Sequence, residues 1–276
     1  MVKLVRGADL VFHNNISLRS AWPLVLFRRP WFVTTQTWLS GQQHQETPSS
    51  HRKRRLLQRA NNLYISQSIG ENVGWPGEVI GNPYDEHIFN LRADQPAPGK
   101  SRPRDLIFVG RMVSDKGADV LIDALRLLPS EQNPNLTLIG DGPERNRLEN
   151  YCQQNGLSKR VTFRGACSSS EIATQLRQHR CLVVPSRWAE PFGIVALEGL
   201  ACGCTVVGSS GGGLTEAMGP TGRVFRNGDA QDLADRIADV WKSDLDNSVE
   251  SVAHLERHTS ASIAARYLNH FKQLRA

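Results

Sequence analysis

The chain has no long apolar run, no paired cysteine spacing, no Walker loop and no dinucleotide fingerprint after any expected strand. Each absence removes a class of protein. The longest apolar stretches, Trp22 to Phe27 and Cys181 to Pro185, fall far short of the roughly 18 residues that argue a membrane span. The start, Met1-Val2-Lys3 with Arg6 and Asp9 close behind, shows no apolar segment ending at a small-residue cleavage site, so a cytoplasmic protein is expected. The 5 cysteines are an odd number without a CxxC pair, which points to buried reduced thiols rather than zinc or a disulfide framework. With 39% hydrophobic and 22% charged residues the composition is globular, and 276 residues suffice for one large domain or two modest ones. The net charge of +6 suits a protein that handles anions, without choosing among nucleic acid, lipid headgroups and phosphorylated metabolites. The basic run at 51–55 has no interleaved aromatics, so no nucleic-acid partner is expected.

What is present is a regular beat. Short β-branched runs at Leu106 to Val109, Leu136 to Ile139, Val161 to Phe163, Cys181 to Val184 and Thr205 to Val207 alternate with helical patterns. The helices are expected at Ala118 to Leu128, Glu144 to Asn155, Ser170 to His179 behind a Ser168-x-x-Glu171 capping box, and Ile194 to Ala201. Strand, helix, strand in this order predicts a parallel, doubly wound α/β sheet, and runs apolar throughout predict strands buried on both faces. Upstream, Ala8 to Phe12, Trp31 to Thr35 and Leu63 to Ser66 read as strands and Arg52 to Ala60 as a basic helix. Asp94 to Arg104 is Pro-rich and charged and reads as a surface insertion; Val252 to Leu274 has helical periodicity with no strand after it. The expected domains are a partial Rossmann-like unit at 1–80, a complete one at 81–250, and a helix at 251–276 that crosses back to the first.

In such sheets ligands sit at the carboxyl ends of strands, so the loops after the apolar runs are the places to look. After the first run comes Gly110-Arg111-Met112-Val113-Ser114-Asp115-Lys116-Gly117, whose two cations suit a diphosphate, or are solvated charges on an ordinary loop. Gly140-Asp141-Gly142-Pro143-Glu144 reads as a tight turn without ligand contact. After the fourth run, Glu190 lies on a loop and Glu198 within the helix that follows, beside Leu197, Leu200 and Ala201. A carboxylate in that apolar setting needs hydroxyls or a cation, and a ribose diol would serve; the alternative is a glutamate turned to solvent. The backbone N–H groups of Phe192, Gly193 and Ile194 fall at a helix start, where a phosphate or sugar oxygen could be held. Ser209-Ser210-Gly211-Gly212-Gly213 allows close approach to its backbone, or is a flexible loop.

Together the segments GRMVSDKG at 110–117, GDGPER at 140–145, EPFGIVALEGLACG at 190–203 with its Glu-x7-Glu, and Gly-Gly with Glu216 resemble the nucleotide-sugar domain of family-4 glycosyltransferases (glycosyl transferases group 1), retaining enzymes of GT-B architecture. The resemblance covers about residues 60 to 245, and GNPYD at 81–85 resembles the segment where the family's chain passes between domains. It implies that Arg111 and Lys116 clamp the diphosphate of a UDP- or GDP-type donor and that Glu198 accepts from its ribose. Glu190, taken as the catalytic residue, and the Phe192–Ile194 backbone would face the sugar and its leaving phosphate. No cofactor or metal is implied, since the two cations do a divalent ion's work. The acceptor would be a hydroxyl of a glycan, lipid or small molecule.

Two departures concern the acceptor side. Met1 enters at a segment, ADLVFHNN, resembling the family's mid-domain strand, which implies a missing start and an impaired or purely binding protein. At Thr35, many relatives carry a histidine. The exposed sheet edge implied by a missing start favours self-association. The run His51-Arg52-Lys53-Arg54-Arg55 resembles cationic helices that reach anionic lipid surfaces, so peripheral contact with the inner membrane face is a further expectation, beside a plain solvated helix face.

Overall fold

The computed structural model describes residues 2–27, 29–40, 46–91, 102–129, 131–242 and 249–273. The chain divides into two compact units, Met1–Asn82 with Ala261–Ala276, and Pro83–Ser260.

The first unit holds four parallel strands, β1 (Val11–Asn14), β2 (Trp31–Thr35), β3 (Asn61–Tyr64) and β4 (Gly77–Val79), in that spatial order. All five residues of β2 are buried, as an apolar run between two neighbours requires. The helix Ser260–Gln273 lays Ile263, Tyr267 and Phe271 over Phe32, Leu63 and Ile80 at a spacing of four, one stripe of a helix. The Phe271 ring meets that of Phe32 edge-on at 4.8 Å, and the Thr34 hydroxyl lies 3.1 Å from that of Tyr267.

Several boundaries differ from those the pattern suggests. β3 starts two residues earlier than Leu63, and Ser66 is no strand residue: its side chain caps the helix Gln67–Val73, accepting from Ile69 N at 3.2 Å. The basic helix runs Pro48–Leu57 because Thr47 and Ser50 form a reciprocal cap at its start. Within it Arg54 is no solvated charge; it donates to the carbonyls of Val73 (3.1 Å) and Asn72 (2.9 Å) and pairs with Glu46 at 2.6 Å. All three residues of β4 are exposed, Val79 the one apolar side chain among them, so the strand carries no apolar signal.

The second unit is a six-stranded parallel sheet of β5 (Arg104–Val109), β6 (Leu136–Ile139), β7 (Val161–Gly165), β8 (His179–Val184), β9 (Thr205–Ser209) and β10 (Arg223–Phe225), ordered β10-β9-β8-β5-β6-β7. Helices Ala118–Leu127, Arg145–Gln154, Ser169–Gln178, Ile194–Ala201 and Ala230–Lys242 join or follow the strands. One continuous core of Leu106, Phe108, Leu121, Leu138, Val183 and Ile237 fills the space between sheet and helices. The capping box predicted at Ser168 and Glu171 is formed. The C-terminal pattern, expected as one helix, is two, Val249–Glu256 and Ser260–Gln273, with Leu274 outside the described residues.

Two buried polar residues hold this unit. Asp94 to Ser101 lie outside the described residues, but Arg102, expected on the surface, is 6% exposed. Its guanidinium donates to the carbonyls of Leu176 (3.0 Å), His179 (2.7 Å) and Cys202 (2.7 Å), so a charge that would be costly alone satisfies the carboxyl ends of two helices. His179, expected at a helix end, opens β8 instead. Its Nδ1 donates to Gln175 O at 2.6 Å, which leaves Nε2 to accept from the Thr137 hydroxyl at 2.9 Å and fixes the neutral tautomer.

Burial pushes the His179 pKa down to about 4, with Arg104 and Arg102 adding repulsion. A depressed histidine stabilises the fold fully above its unfolded pKa of about 6.5, and that contribution falls away as pH drops towards 4. The advantage of the wild type over His179→Gln in urea unfolding should therefore shrink by roughly 3 kcal/mol between pH 6.5 and 4. A pH-independent difference would show that the ring does not titrate against the fold.

Candidate functional site

The strand order reverses between β5 and β8: the chain leaves β5 towards β6 and β8 towards β9, in opposite directions. A crevice outside the carboxyl ends of these two strands is the consequence. The loops that border it are stitched together by backbone. Arg187 N and Trp188 N donate to Asp115 O at 2.9 and 3.2 Å, and Gly117, at φ +66, lies so close to the Pro185 carbonyl that a Cβ would overlap it. From the other side Gly212, at φ +63, abuts the Glu190 carbonyl, and Gly213 N donates to that oxygen at 2.7 Å. The glycine run after β9 thus receives a neighbouring loop. The 140–144 turn likewise serves structure, since Met112 N donates to Asp141 O at 2.9 Å and Glu144 N to Met112 O at 3.0 Å.

This stitching brings Lys116 and Glu190 together. Lys116 Nζ donates to Glu190 Oε1 at 2.6 Å, and Ser186 Oγ donates to the same oxygen at 2.6 Å. Glu190 is 7% exposed, and these two donors are what make its burial tolerable. Ser186 is itself held, its carbonyl accepting from Ser209 Oγ at 2.7 Å. The ammonium also stands 5.9 Å from the centre of the Trp188 ring, within cation–π range.

Directly after Glu190 the helix Ile194–Ala201 begins with Gly193 at its N-cap, and no side chain caps it. Its amino end therefore keeps the partial positive charge and N–H groups that favour an anion. Phe192 is buried with its ring 5.4 Å from that of His258, while Ile194 is exposed. Arg111 is exposed and reaches no side-chain partner among the described residues. Glu198 is half-buried about one turn into the helix, between buried Leu197, Leu200 and Ala201. Its carboxyl has neither cation nor hydrogen-bond partner among the described residues; burial, and then the charge of Asp85, push its pKa up to about 7.

Sequence reasoning overlooks Ser186, Trp188 and Asp85. Ser186 and Trp188 flank Glu190 in the same loop, but nothing in their spacing says that one bonds the carboxylate and the other lies beside the ammonium. Among the described residues no three His, Cys, Asp or Glu side chains gather in a metal-holding group.

Residues 92–257, more than half of the chain, match glycosyl transferases group 1. The chain belongs to this family. It is 34% identical over 179 residues to the uncharacterized glycosyltransferase MJ1178 of Methanocaldococcus jannaschii, covering 64% of this chain and 47% of that protein. To glycogen synthase of Mycobacterium tuberculosis it is 33% identical over 165 residues, 59% of this chain and 39% of the relative. The chain thus spans about half or less of the length of these curated relatives. Among solved structures, Anabaena Alr3699/HepE in complex with UDP and glucose superposes with a TM-score of 0.78 at 23% identity, over 98% of this chain and 79% of that one. The chain has the GT-B fold of this neighbour.

The raised Glu198 has a thermodynamic sign. A carboxyl whose folded pKa lies above its unfolded value contributes stability that is full below about 4.5 and lost as pH rises through about 7. Glu198→Gln should therefore be more stable than wild type at pH 8, by about 1–2 kcal/mol after allowance for partial exposure, and no more stable at pH 4. Thermal unfolding at the two pH values checks this; a gain independent of pH would remove the carboxylate from the account.

Proposed function

We propose that the group 1 chain transfers a sugar, with retention of configuration, from a nucleoside-diphosphate sugar of the UDP or GDP type to a hydroxyl acceptor. One observation carries the reading: Lys116, Glu190 and an uncapped helix amino end meet at the switch point of the second unit, while a half-buried carboxylate without a partner among the described residues waits about one turn down that helix. In this reading the diphosphate lies between Arg111, Lys116 and the Phe192–Ile194 backbone. Arg111 offers a planar fork and Lys116 a point charge, so the leaving phosphate is stabilised without a metal. Glu198 accepts from the ribose hydroxyls, which supply the donors that the protein does not. Glu190, fixed by Lys116 and Ser186, faces the sugar as a rigid acceptor of hydroxyl hydrogen bonds. The complex of Alr3699/HepE with UDP and glucose supports the choice of ligand class.

A second reading, donor binding without efficient transfer, has its own observation. Thr35, where the resemblance implies a histidine in many relatives, is 1% exposed and its hydroxyl meets no partner among the described residues. Calorimetry with UDP and GDP, run beside acceptor-dependent turnover of their sugars on one sample, separates the two. A charge-assisted contact to phosphate contributes about 1.5–3 kcal/mol. Arg111→Ala, at an exposed site, should lose nucleotide affinity by about tenfold or more with its fold intact. Glu198→Gln should weaken UDP but leave inorganic pyrophosphate unchanged. Unaltered UDP affinity in both variants would overturn the site assignment, and turnover near the usual 1–10³ s⁻¹ would dismiss the second reading.

A further inference from the structure

The first unit contains a cavity that the proposed donor site does not use. It lies at the amino-terminal ends of β3 and β4, where Asn61, Asn62, Gly77 and Glu78 begin their strands, and it holds about 480 Å³. That is within the usual size of small-molecule sites. Its walls include Gln58, Asn61, Asn62, Trp75, Glu78 and His270. No lysine or arginine lines it among the described residues, and its one carboxylate, Glu78, stands 3.1 Å from His270 Nε2. Among the described residues a phosphate or nucleotide would find no fixed cation there.

The remaining chemistry is amides beside an aromatic ring. Trp75 is held firmly: its indole N–H donates to Arg54 O at 2.7 Å and its carbonyl accepts from the Tyr64 hydroxyl at 2.8 Å. Asn62, 5% exposed, is pinned through its Nδ2 to the carbonyls of Leu57 (3.0 Å) and Pro76 (3.3 Å) with its Oδ1 buried, and Asn61 Nδ2 donates to Trp31 O at 3.1 Å, so the amides left to a ligand are those of Gln58 and Gln273. Primary amides offer donors and acceptors side by side, which matches neutral hydroxyls that are both, and a pre-fixed indole offers a flat face to C–H groups at little entropic cost. We propose that this cavity binds a neutral saccharide of one or two rings. The proposal does not depend on the donor-site reading, since it concerns the other unit and an uncharged ligand.

Ligand-observed NMR with glucose, galactose, mannose, maltose and cellobiose tests it on the full chain. At least one should bind saturably with Kd on the order of 1 mM. Trp75→Ala should weaken that sugar about tenfold. Since Trp75 also braces Arg54, a Gln58→Ala/Gln273→Ala double variant at exposed positions provides a second reading with the fold preserved, and it too should lose affinity. UDP affinity, measured in parallel, should stay as in wild type in both variants, and saccharide affinity should stay unchanged in Arg111→Ala. No binding by any sugar of the panel, binding that survives both cavity variants, or displacement of the sugar by uridine would overturn the proposal. A failure of UDP binding alone would count against the donor site and leave this cavity's assignment intact.

Discussion

The close approach of Gly117 to the Pro185 carbonyl organises the second unit's crevice. Only a residue without a Cβ lets the loop after β5 pass so near the loop after β8, and two N–H bonds to Asp115 O lock the crossing. Because the two strands diverge from here in sequence order, everything placed on these loops converges on one edge of the sheet. Lys116 meets Glu190 as a result, and the helix amino end that follows Glu190 opens beside them. The glycines at 211–213 perform the matching task from β9, so the site is framed by backbone contacts before any side chain is considered.

Within that frame two glutamates eight positions apart stand in opposite conditions. Glu190 is the more buried, yet two donors occupy one of its oxygens, so the cost of removing it from water is answered inside the protein. Glu198 is less buried and answered by nothing among the described residues, and it lies near a second carboxylate in Asp85. The first is built to stay where it is; the second holds free energy that any hydroxyl-rich partner would release.

The alternation of apolar runs and amphipathic stretches made the parallel sheet legible, because strands buried on both faces cannot hide their composition. β4 and β10 escaped, each three residues long, β4 exposed throughout and β10 with only Phe225 buried. The break at 257–259 between the last two helices has neither glycine nor proline to announce it. At the site, positions were legible and partners were not. Arg111, Lys116, Glu190 and Glu198 stand out as charges at strand ends or in an apolar helix, but Lys116 and Glu190 are 74 positions apart and nothing in the sequence between them pairs them. Arg102 was misread for the opposite reason: it follows a charged, Pro-rich stretch, and the three oxygens it addresses are carbonyls, which every residue has.

That last property reaches beyond Arg102 itself. A guanidinium seated on the main chain at Leu176, His179 and Cys202 is indifferent to the side chains at those positions. The joint itself places no demand on those side chains, whereas the arginine has no substitute, because an ammonium lacks the planar spread to address three carbonyls that lie apart. What constrains the acceptor positions is packing and, at His179, the ring's own hydrogen bonds, while the joint itself constrains only the donor.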